Sequence, residues 1–322
     1  MKAVVAEAVG GPENLKYIDV PAPQPAPGEV LVKLAAIGVN MIDTYYRKGI
    51  YKAPETPILL GSEGAGTIAA VGSGVNFKPG QRVAYSMARG AYAEYAIVPQ
   101  QLVVELPAAV SFEDGAAALL QGMTAHYLTH STFALKPGHV CLIHAAAGGT
   151  GLLIVQMAKI AGAVVIGTCS TPEKAKLVAE NGADHVIRYG EQNFVAEVKK
   201  ITGNAGVDVV YDSVGKSTFA DSLDCLKPRG LMVSFGQSSG PIGEINPLLL
   251  QQKGSLYLTR PNLANYISDP AEMQWRSSDL FGWLADGRLN VRIYKQYKLA
   301  DAASAHRDLE SRRTTGKLLL IP

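Results

Sequence analysis

The second half of the chain alternates short apolar runs with longer segments of helical period. The runs are short and have the composition of β-strands. They lie at 139–144, 163–168, 185–189, 207–211, 231–235 and 255–259. Helix-length segments separate most of them, so we predict a doubly wound sheet with strand order 3-2-1-4-5-6.

A turn of small residues, His144-Ala-Ala-Ala-Gly-Gly-Thr-Gly151, follows the first run, and a helical pattern begins directly after it. Ala146, Gly148 and Gly151 hold the three positions of the dinucleotide fingerprint G-x-G-x-x-G, so the match is partial. The alternative is an ordinary strand-to-helix turn, but the five runs that follow favour a dinucleotide site at the helix N-terminus. The predicted cofactor contacts in this turn are Ala147, Gly148, Gly149, Thr150 and Gly151.

The first 110 residues have a β-rich pattern. Strand-like runs lie at 2–9, 15–20, 29–36, 66–71, 82–86 and 91–98. Turns containing Gly and Pro bound them, which predicts a compact barrel-like domain. Ser111 and Asp114 form a capping-box pattern that opens a helix through Leu120, and a second helical stretch covers 124–133. We therefore place the domain boundary near Gly122.

The tail after Arg260 contains helical patterns at 273–285 and 300–311 and a final strand-like run at 317–321. Because the six strands are complete by Arg260, we expect the tail to rejoin the first domain. The predicted domains are therefore 1–122 plus 262–322, and 123–261.

Composition narrows the class of protein. The chain has 322 residues, 48% of them apolar, and a formal net charge of +2. No apolar stretch reaches membrane-spanning length and the N-terminus enters a strand pattern directly, so we expect a cytoplasmic protein without a signal peptide or a membrane partner. No long basic run supports nucleic-acid binding. Cys141, Cys169 and Cys225 lie far apart and are expected to be buried thiols in a reducing compartment.

Several motifs occur together in an order and spacing that resemble a known superfamily. They are Gly61-Ser-Glu-Gly-Ala-Gly66, Lys78-Pro-Gly-Gln-Arg-Val83, Gly90-Ala-Tyr-Ala-Glu-Tyr95, the 144–151 turn and Tyr211-Asp-Ser-Val-Gly215. Over essentially its whole length the chain resembles the medium-chain dehydrogenase/reductase superfamily. The segments 37–45, 233–240 and 309–312 resemble the zinc-free, zeta-crystallin-like quinone oxidoreductases within it.

The resemblance implies an α/β fold with a Rossmann doubly wound parallel six-stranded sheet plus a β-rich GroES-like barrel domain. The residues 1–122 plus 262–322 would form the catalytic GroES-like domain, and 123–261 the NADP-binding Rossmann domain. The resemblance also implies reduction of quinones by NADPH in a pocket between the domains.

Residue types argue against the zinc site of the related alcohol dehydrogenases. Asn40 stands where their pattern has the first Cys ligand, and Ser62 replaces their His ligand. No cysteine precedes Cys141, so the four-Cys structural zinc lobe is absent. His126 and His130 are spaced for a helix face but lack a third ligand, and we expect them to be a surface pair. Since catalytic zinc needs three good ligands, no metal site is predicted.

Without a metal ion, alcohol oxidation loses its usual means of stabilising an alkoxide. Hydride transfer to an electron-poor acceptor, such as a quinone, needs less assistance. Two alternatives stay open: a reductase of alkenal or enoyl-thioester double bonds, and a non-enzymatic NADPH-binding structural or RNA-binding protein. The absence of a basic patch counts against RNA. No combination of nucleophile, base and acid points to a hydrolase.

The second strand of the Rossmann pattern ends at 167–171 without a carboxylate, whereas NAD enzymes place an acid there to bind the ribose 2′-hydroxyl. Ser170 and Lys174 follow this strand, and Tyr189 ends the next one. A hydroxyl and an ammonium suit a 2′-phosphate, so the sequence predicts NADPH. Glu173 is expected at the start of the following helix.

The remaining candidate residues come mainly from the resemblance. Asn40, Asp43, Tyr45 and Tyr51 match segments of the implied catalytic pocket. Asn40 is suited to hydrogen bonding, Asp43 to a structural hydrogen bond, and the tyrosines to oxyanion donation or packing. The implied cofactor contacts outside the turn are Thr124, Phe235 and Ser238 near the nicotinamide, and Ser213. Arg312 and Lys317 are implied as phosphate contacts or are ordinary surface charges.

The segment 254–259, the sixth strand of the Rossmann pattern, should lie at the edge of the sheet. It carries few charges and would favour association if left exposed. Pairing with its copy across a two-fold axis would cover it, so we expect a homodimer.

Overall fold

The computed structural model describes residues 1–53 and 56–322. The chain divides into two compact units, one of Met1–Met123 with Asp269–Pro322 and one of Thr124–Ser268. The described strands, in chain order, are β1 (Lys2–Ala6), β2 (Leu15–Asp19), β3 (Glu29–Val39), β4 (Ile58–Leu59), β5 (Glu63–Val71), β6 (Arg82–Ser86), β7 (Tyr95–Pro99), β8 (Val103–Glu105), β9 (Val140–Ile143), β10 (Val164–Cys169), β11 (His185–Arg188), β12 (Val207–Asp212), β13 (Leu226–Ser234), β14 (Tyr257–Thr259), β15 (Ile293–Lys298) and β16 (Lys317–Ile321).

The described α-helices are α1 (Met41–Arg47), α2 (Phe112–Tyr127), α3 (Gly149–Ile160), α4 (Pro172–Glu180), α5 (Phe194–Ile201), α6 (Phe219–Leu223), α7 (Pro247–Gln252), α8 (Leu263–Tyr266), α9 (Pro270–Ala285) and α10 (Ala302–Glu310). Short 3₁₀ turns lie at Pro12–Asn14, Gln100–Leu102 and Leu299–Asp301, and a π-helical turn at Leu128–Thr132 extends α2. Within the described part of the chain, every helix is too short or too polar to cross a lipid bilayer.

The first unit is β-rich and is organised around β3. One sheet runs in the order β15-β16-β3-β5-β6-β8, with β7 also paired to β3, and a smaller one runs in the order β2-β1-β4. Val30, Val32, Leu34, Ile37 and Val39 of β3 are all buried in one apolar core. The tail strand β16 pairs antiparallel with β3. This pairing brings the end of the chain beside residues 37–39.

Three strands of the first unit, β4, β8 and β15, were not predicted. β4 and β8 contain two and three residues, too few for a period to be recognised. β15 reads Ile-Tyr-Lys-Gln-Tyr-Lys, and most of its positions are exposed or half-buried. It pairs in parallel with β16, and of its six residues Tyr297 alone is buried in the apolar core.

The second unit is built on a six-stranded parallel sheet with the order β11-β10-β9-β12-β13-β14. This is the predicted order 3-2-1-4-5-6, and the prediction is confirmed. All six residues of β12 are buried, as expected for a strand covered on both faces. Cys141, Cys169 and Cys225 are buried and free, also as predicted.

The helix α2 corrects one prediction. Ser111 does cap it, because its hydroxyl accepts the Asp114 amide proton at 3.0 Å. The helix then continues through Gly122 to Tyr127 instead of ending at Leu120. A β-carbon at Gly122 would come within 2.5 Å of the side chain of Leu280 in α9. The glycine therefore permits close packing inside one helix and does not mark a break between two.

Candidate active site and cofactor site

The turn between β9 and α3 has the geometry of a phosphate cradle. Ala145 takes a left-handed conformation with φ of 51°, and the Gly148 amide donates to the Ala145 carbonyl at 2.9 Å. Gly148 is the N-cap, and the Leu152 amide closes the first turn on its carbonyl. The geometry of a helix start leaves the amides of Gly149, Thr150 and Gly151 without an intrahelical acceptor. These amides and the helix dipole favour an anion at this point.

Gly151 shows that the partial fingerprint meets the demands of the full one. A β-carbon at this position would lie 2.4 Å from the Ala145 carbonyl oxygen and 2.9 Å from the Ala146 backbone. The helix therefore packs on the turn only with glycine here. Ala146 is buried and its amide donates to the Thr168 carbonyl of β10 at 3.0 Å, and Ala147 is buried beside it. A dinucleotide pyrophosphate fits this backbone.

The structure brings Ser170, Lys174 and Tyr189 to the edge where β10 and β11 end. Thr171 caps α4 by accepting the Lys174 amide proton at 3.3 Å, so Lys174 lies in the first helical turn. The Tyr189 amide donates to the Cys169 carbonyl at 3.2 Å, and the Tyr189 side chain is 54% exposed. Partial burial lowers the pKa of the Lys174 ammonium. A nearby anion would offset the free-energy cost of burying this charged ammonium.

The same edge contains a second cation that the sequence interpretation missed. Arg188, the last residue of β11, pairs in register with Cys169. Its guanidinium contacts the Glu191 carboxylate through two nitrogens, at 2.7 and 2.6 Å. In the sequence, Arg188 could have been recognised as a basic residue at the carboxyl end of a predicted strand. Glu173 lies exposed in the first turn of α4, as expected.

Two loops at the carboxyl ends of β12 and β13 bring Ser213, Phe235 and Ser238 together. The Phe235 amide donates to the Asp212 carbonyl at 2.8 Å, and the Ser238 amide donates to the Ser213 carbonyl at 3.2 Å. The Asp212 carboxylate, fully buried, accepts protons from the Val214 and Gly215 amides and from the Thr218 hydroxyl. Asp212 was not singled out from the sequence, although the 211–215 motif contains it.

Thr124 lies half-buried in α2. Two residues further along, His126 stacks on His130 with ring centroids 4.3 Å apart. His126 is fully buried, so the prediction of a surface pair was wrong for this residue. Its position on the inner side of α2 was not visible in the spacing alone. Within residues 1–53 and 56–322, no group of three or more His, Cys, Asp or Glu side chains is placed to hold a metal ion.

In the first unit, Asn40 belongs to a buried cluster with Glu63 and Lys317. The Lys317 ammonium donates to Asn40 Oδ1 at 2.7 Å and to Glu63 Oε2 at 2.5 Å. Asn40 Nδ2 donates to the same carboxylate oxygen at 2.9 Å. The Leu120 amide donates to the other carboxylate oxygen, Oε1, at 2.6 Å. Both members of the ion pair thus have further hydrogen bonds, the ammonium to Asn40 and the carboxylate to Asn40 and Leu120. A buried ion pair needs such partners to offset the loss of water.

This cluster changes the interpretation of two candidate residues. Asn40 is 3% exposed and its amide oxygen and nitrogen already have partners, which favours a positioning role over direct contact with a carbonyl. Lys317 is 1% exposed and paired with a carboxylate, which favours the same role over a phosphate contact or a surface charge. Arg312 is exposed and has a positive φ of 61°. In the sequence, the burial of Lys317 could have been suspected because this lysine is the first residue of an apolar strand.

Asp43, three residues after Asn40, is completely buried. Its carboxylate accepts protons from the Asn40 amide at 2.9 Å, the Ser62 hydroxyl at 3.1 Å and the Tyr92 hydroxyl at 3.2 Å. Burial raises the pKa of Asp43 to about 6, against the opposing effect of these hydrogen bonds and of Lys317. All three hydrogen bonds hold the Asp43 carboxylate inside the first unit.

Tyr92 extends this network to His306 in the tail. Its hydroxyl lies 2.9 Å from His306 Nε2. When the Tyr92 hydroxyl donates to Asp43, Nε2 is the donor to Tyr92, and His306 is then the neutral Nε2–H tautomer. Burial lowers the pKa of His306 to about 3, so the ring is uncharged near neutrality.

Tyr45 and Tyr51 lie on and just after α1. Tyr45 is 8% exposed and Tyr51 is half-buried, and their rings meet edge to face with centroids 5.3 Å apart. The Tyr51 amide donates to the Tyr45 carbonyl at 3.2 Å. The two rings form one aromatic pair at the end of α1, and Asn40 and Asp43 lie at the start of this helix.

Comparison with known families agrees with the two-unit structure. Residues 26–108 match the alcohol dehydrogenase GroES-like domain, and residues 149–266 match the zinc-binding dehydrogenase family. The second match concerns the nucleotide-binding region, which does not contain Asn40 or Ser62.

Full-length relatives are similar throughout the chain. The quinone oxidoreductase of Pseudomonas aeruginosa is 48% identical over 100% of this chain and 99% of its own length. Quinone oxidoreductase 1 of Escherichia coli is 48% identical over 97% of each chain. A solved structure of Escherichia coli quinone oxidoreductase in complex with NADPH has a TM-score of 0.98 and 46% identity, with 100% of both chains covered.

Proposed function

The chain belongs to the quinone oxidoreductases of the medium-chain dehydrogenase/reductase superfamily, and on this premise we propose that it reduces quinones with NADPH, without a catalytic metal ion. NADPH supplies a hydride when bound, and the quinone gains that hydride and a proton to become a hydroquinone. The chain's own residues bind and orient the two reactants.

The observation that carries the cofactor assignment is the composition of the edge after β10. It has Ser170, the half-buried ammonium of Lys174 and the exposed ring of Tyr189, and no carboxylate at the strand tip. A 2′-phosphate would gain a charge-assisted hydrogen bond there, whereas an acid that binds a 2′-hydroxyl is missing. The complex of the Escherichia coli relative with NADPH supports the same assignment.

We assign the remaining contacts by the elements that carry them. The amides at the start of α3 would bind the pyrophosphate, and the loops after β12 and β13, with Thr124 of α2, would lie near the nicotinamide. Arg312 is retained as a phosphate contact, and Lys317 is reassigned to holding Asn40. The proposed cofactor residues are Thr124, Ala147, Gly148, Gly149, Thr150, Gly151, Ser170, Lys174, Tyr189, Ser213, Phe235, Ser238 and Arg312.

We propose that Tyr45 and Tyr51 wall the quinone pocket, and that Asn40 and Asp43 hold the start of α1 so that this wall keeps its place. Asn40 and Ser62 replace zinc ligands of related enzymes, and both are engaged in hydrogen bonds with Lys317, Glu63 and Asp43. The amide of Asn40 and the hydroxyl of Ser62 are poor zinc ligands, and they suit a hydrogen-bond network better than a metal site.

The direct test follows the absorbance of NADPH during reaction of the purified protein with benzoquinone and larger quinones. NADH, 2-alkenals, enoyl thioesters and an added chelator are run in parallel. We expect rapid, chelator-resistant oxidation of NADPH by quinones. Turnover with alkenals or thioesters alone would show that the substrate is not a quinone. Tight NADPH binding with no turnover at all would contradict an enzymatic function.

We also propose a homodimer and a cytoplasmic location. The dimer is supported by β14, which ends the six-stranded sheet and carries Tyr257 at 61% exposure. An uncovered edge of this kind favours pairing with a second copy. The location is supported by the three free, buried cysteines, which are typical of a reducing compartment.

A further inference from the structure

Arg260, the residue directly after β14, connects two strand ends of the six-stranded sheet. Its Nη1 donates to the Ser234 carbonyl at 3.0 Å, to the Ser234 hydroxyl at 3.3 Å and to the Gly236 carbonyl at 2.7 Å. Its Nη2 donates to Gln237 Oε1 at 3.4 Å. One guanidinium therefore contacts three of the four residues from 234 to 237, at the point where β13 becomes a loop.

These contacts differ from those of an ordinary surface arginine. Exposed arginines commonly pair with carboxylates and add little to stability. Arg260 instead donates to carbonyls at the end of β13, where a chain leaving the sheet has acceptors that the ladder no longer satisfies. The planar guanidinium can serve several acceptors at once, which a lysine ammonium does with less directional control.

The opposite side of the same loop is held by the end of β12. The Phe235 amide donates to the Asp212 carbonyl at 2.8 Å, and the Ser239 amide donates to the Val214 carbonyl at 2.9 Å. Asp212 is itself fixed by the hydrogen bonds that its buried carboxylate accepts. The loop at 235–239 is thus fastened by β12 on one side and by Arg260 on the other.

We propose that Arg260 is a positioning residue for the nicotinamide half of the cofactor. It holds the backbone of 234–237, and so the place of Phe235 and Ser238, without contacting the reacting atoms. The carboxyl edge of a doubly wound sheet is where a dinucleotide lies, and this loop belongs to that edge. The role rests on the proposed function, since it requires that NADPH is the cofactor.

The first test measures amide hydrogen exchange in the protein without cofactor, so it does not depend on activity. In Arg260→Met, which keeps an apolar stem but no donors, exchange at 235–239 should accelerate about tenfold. Arg260→Lys should restore part of the protection. Arg288→Met is the matched control, because Arg288 is a surface arginine bonded to Asp286 in the first unit. Unchanged exchange at 235–239 in Arg260→Met would overturn the proposal.

The second test compares the binding of NADPH with that of 2′,5′-ADP, which carries the adenosine half alone. Arg260→Met should weaken NADPH binding about tenfold and leave 2′,5′-ADP binding unchanged, because only the nicotinamide half depends on the loop. Equal weakening of both ligands would show general damage and overturn the positioning role. If the wild-type protein binds neither NADPH nor 2′,5′-ADP, the proposed function is wrong. If hydrogen exchange at 235–239 is the same in Arg260→Met and in the wild type, the Arg260 inference is wrong, whatever the binding result.

Discussion

At the scale of single residues, burial displaces two pKa values of the first unit in opposite directions. It raises the pKa of Asp43 to about 6 and lowers that of His306 to about 3. The hydroxyl of Tyr92 lies between the two groups. Near neutral pH the network therefore holds an ionised carboxylate and a neutral imidazole, and each responds differently to acid.

Replacing His306 with Gln should make the protein less sensitive to acid. The unfolded chain protonates this histidine below its ordinary pKa of 6.5, whereas the folded protein resists protonation down to about 3. Its contribution to the free energy of unfolding is therefore lost as pH falls below 6.5, by about 2 kcal/mol at about pH 5. Urea unfolding of both proteins at about pH 7.5 and pH 5 measures the difference.

The raised pKa of Asp43 acts with the opposite sign, stabilising the folded state as pH falls from about 6 towards 3.8, and it is present in both proteins. The comparison therefore isolates His306. The exposed His185, replaced by Gln, is the control. If His306→Gln and the wild type lost the same stability between the two pH values, burial of a neutral imidazole would be disproved.

Replacing Lys174 with Met should reduce the preference for NADPH over NADH. A charge-assisted hydrogen bond to the 2′-phosphate contributes about 1.5–3 kcal/mol, so the ratio of kcat/KM values should fall about tenfold to a hundredfold. Lys176→Met is the matched control, since Lys176 lies on the same helix and is 79% exposed beside Glu180. A preference for NADPH that survived in Lys174→Met would assign 2′-phosphate recognition to other groups.

At the scale of elements, the turn from β9 into α3 depends on close packing that one methyl group would disturb. Gly151→Ala places a β-carbon 2.4 Å from the Ala145 carbonyl oxygen. We expect a loss of about 1–3 kcal/mol in the free energy of unfolding and at least tenfold weaker NADPH binding, because the helix start must move away from the turn. Thermal unfolding and fluorescence titration measure the two effects.

The control for this change is Gly282→Ala in the last turn of α9. Gly282 is exposed, and a β-carbon there would meet nothing within 4 Å. Alanine should stabilise that helix by about 0.5–1 kcal/mol and leave cofactor binding unchanged. If Gly151→Ala bound NADPH as tightly as Gly282→Ala, the turn would not be the pyrophosphate site.

At the scale of the whole molecule, the proposed homodimer rests on the edge strand β14, which ends the six-stranded sheet. We expect light scattering at micromolar concentration to show twice the chain mass of 34.1 kDa. Tyr257→Lys should give a monomer, because a charge on an edge strand opposes pairing with a second copy. Tyr17→Lys, at another exposed tyrosine, should leave the dimer intact. A monomeric wild type would contradict the homodimer.

The sequence was informative wherever a feature is local. The period of the apolar runs predicted the six strands and their order, because a parallel sheet with crossover helices permits few arrangements. The small-residue turn, the strand end without an acid and the cap at Ser111 were also recognised, since each depends on residues a few positions apart. Short or polar strands such as β4 and β15 carried no period and were missed.

The sequence by itself thus determined the class of fold, and it indicated the small-residue turn proposed to bind the dinucleotide and the residue types available for a 2′-phosphate. Only the tertiary structure showed that Lys317 meets Asn40, 277 positions earlier, and that His126 is buried. It also showed that Arg260 holds the loop after β13. Contacts of this kind depend on which strands become neighbours and on which face of a helix is buried. The spacing of residues close together in the sequence does not predict either of these.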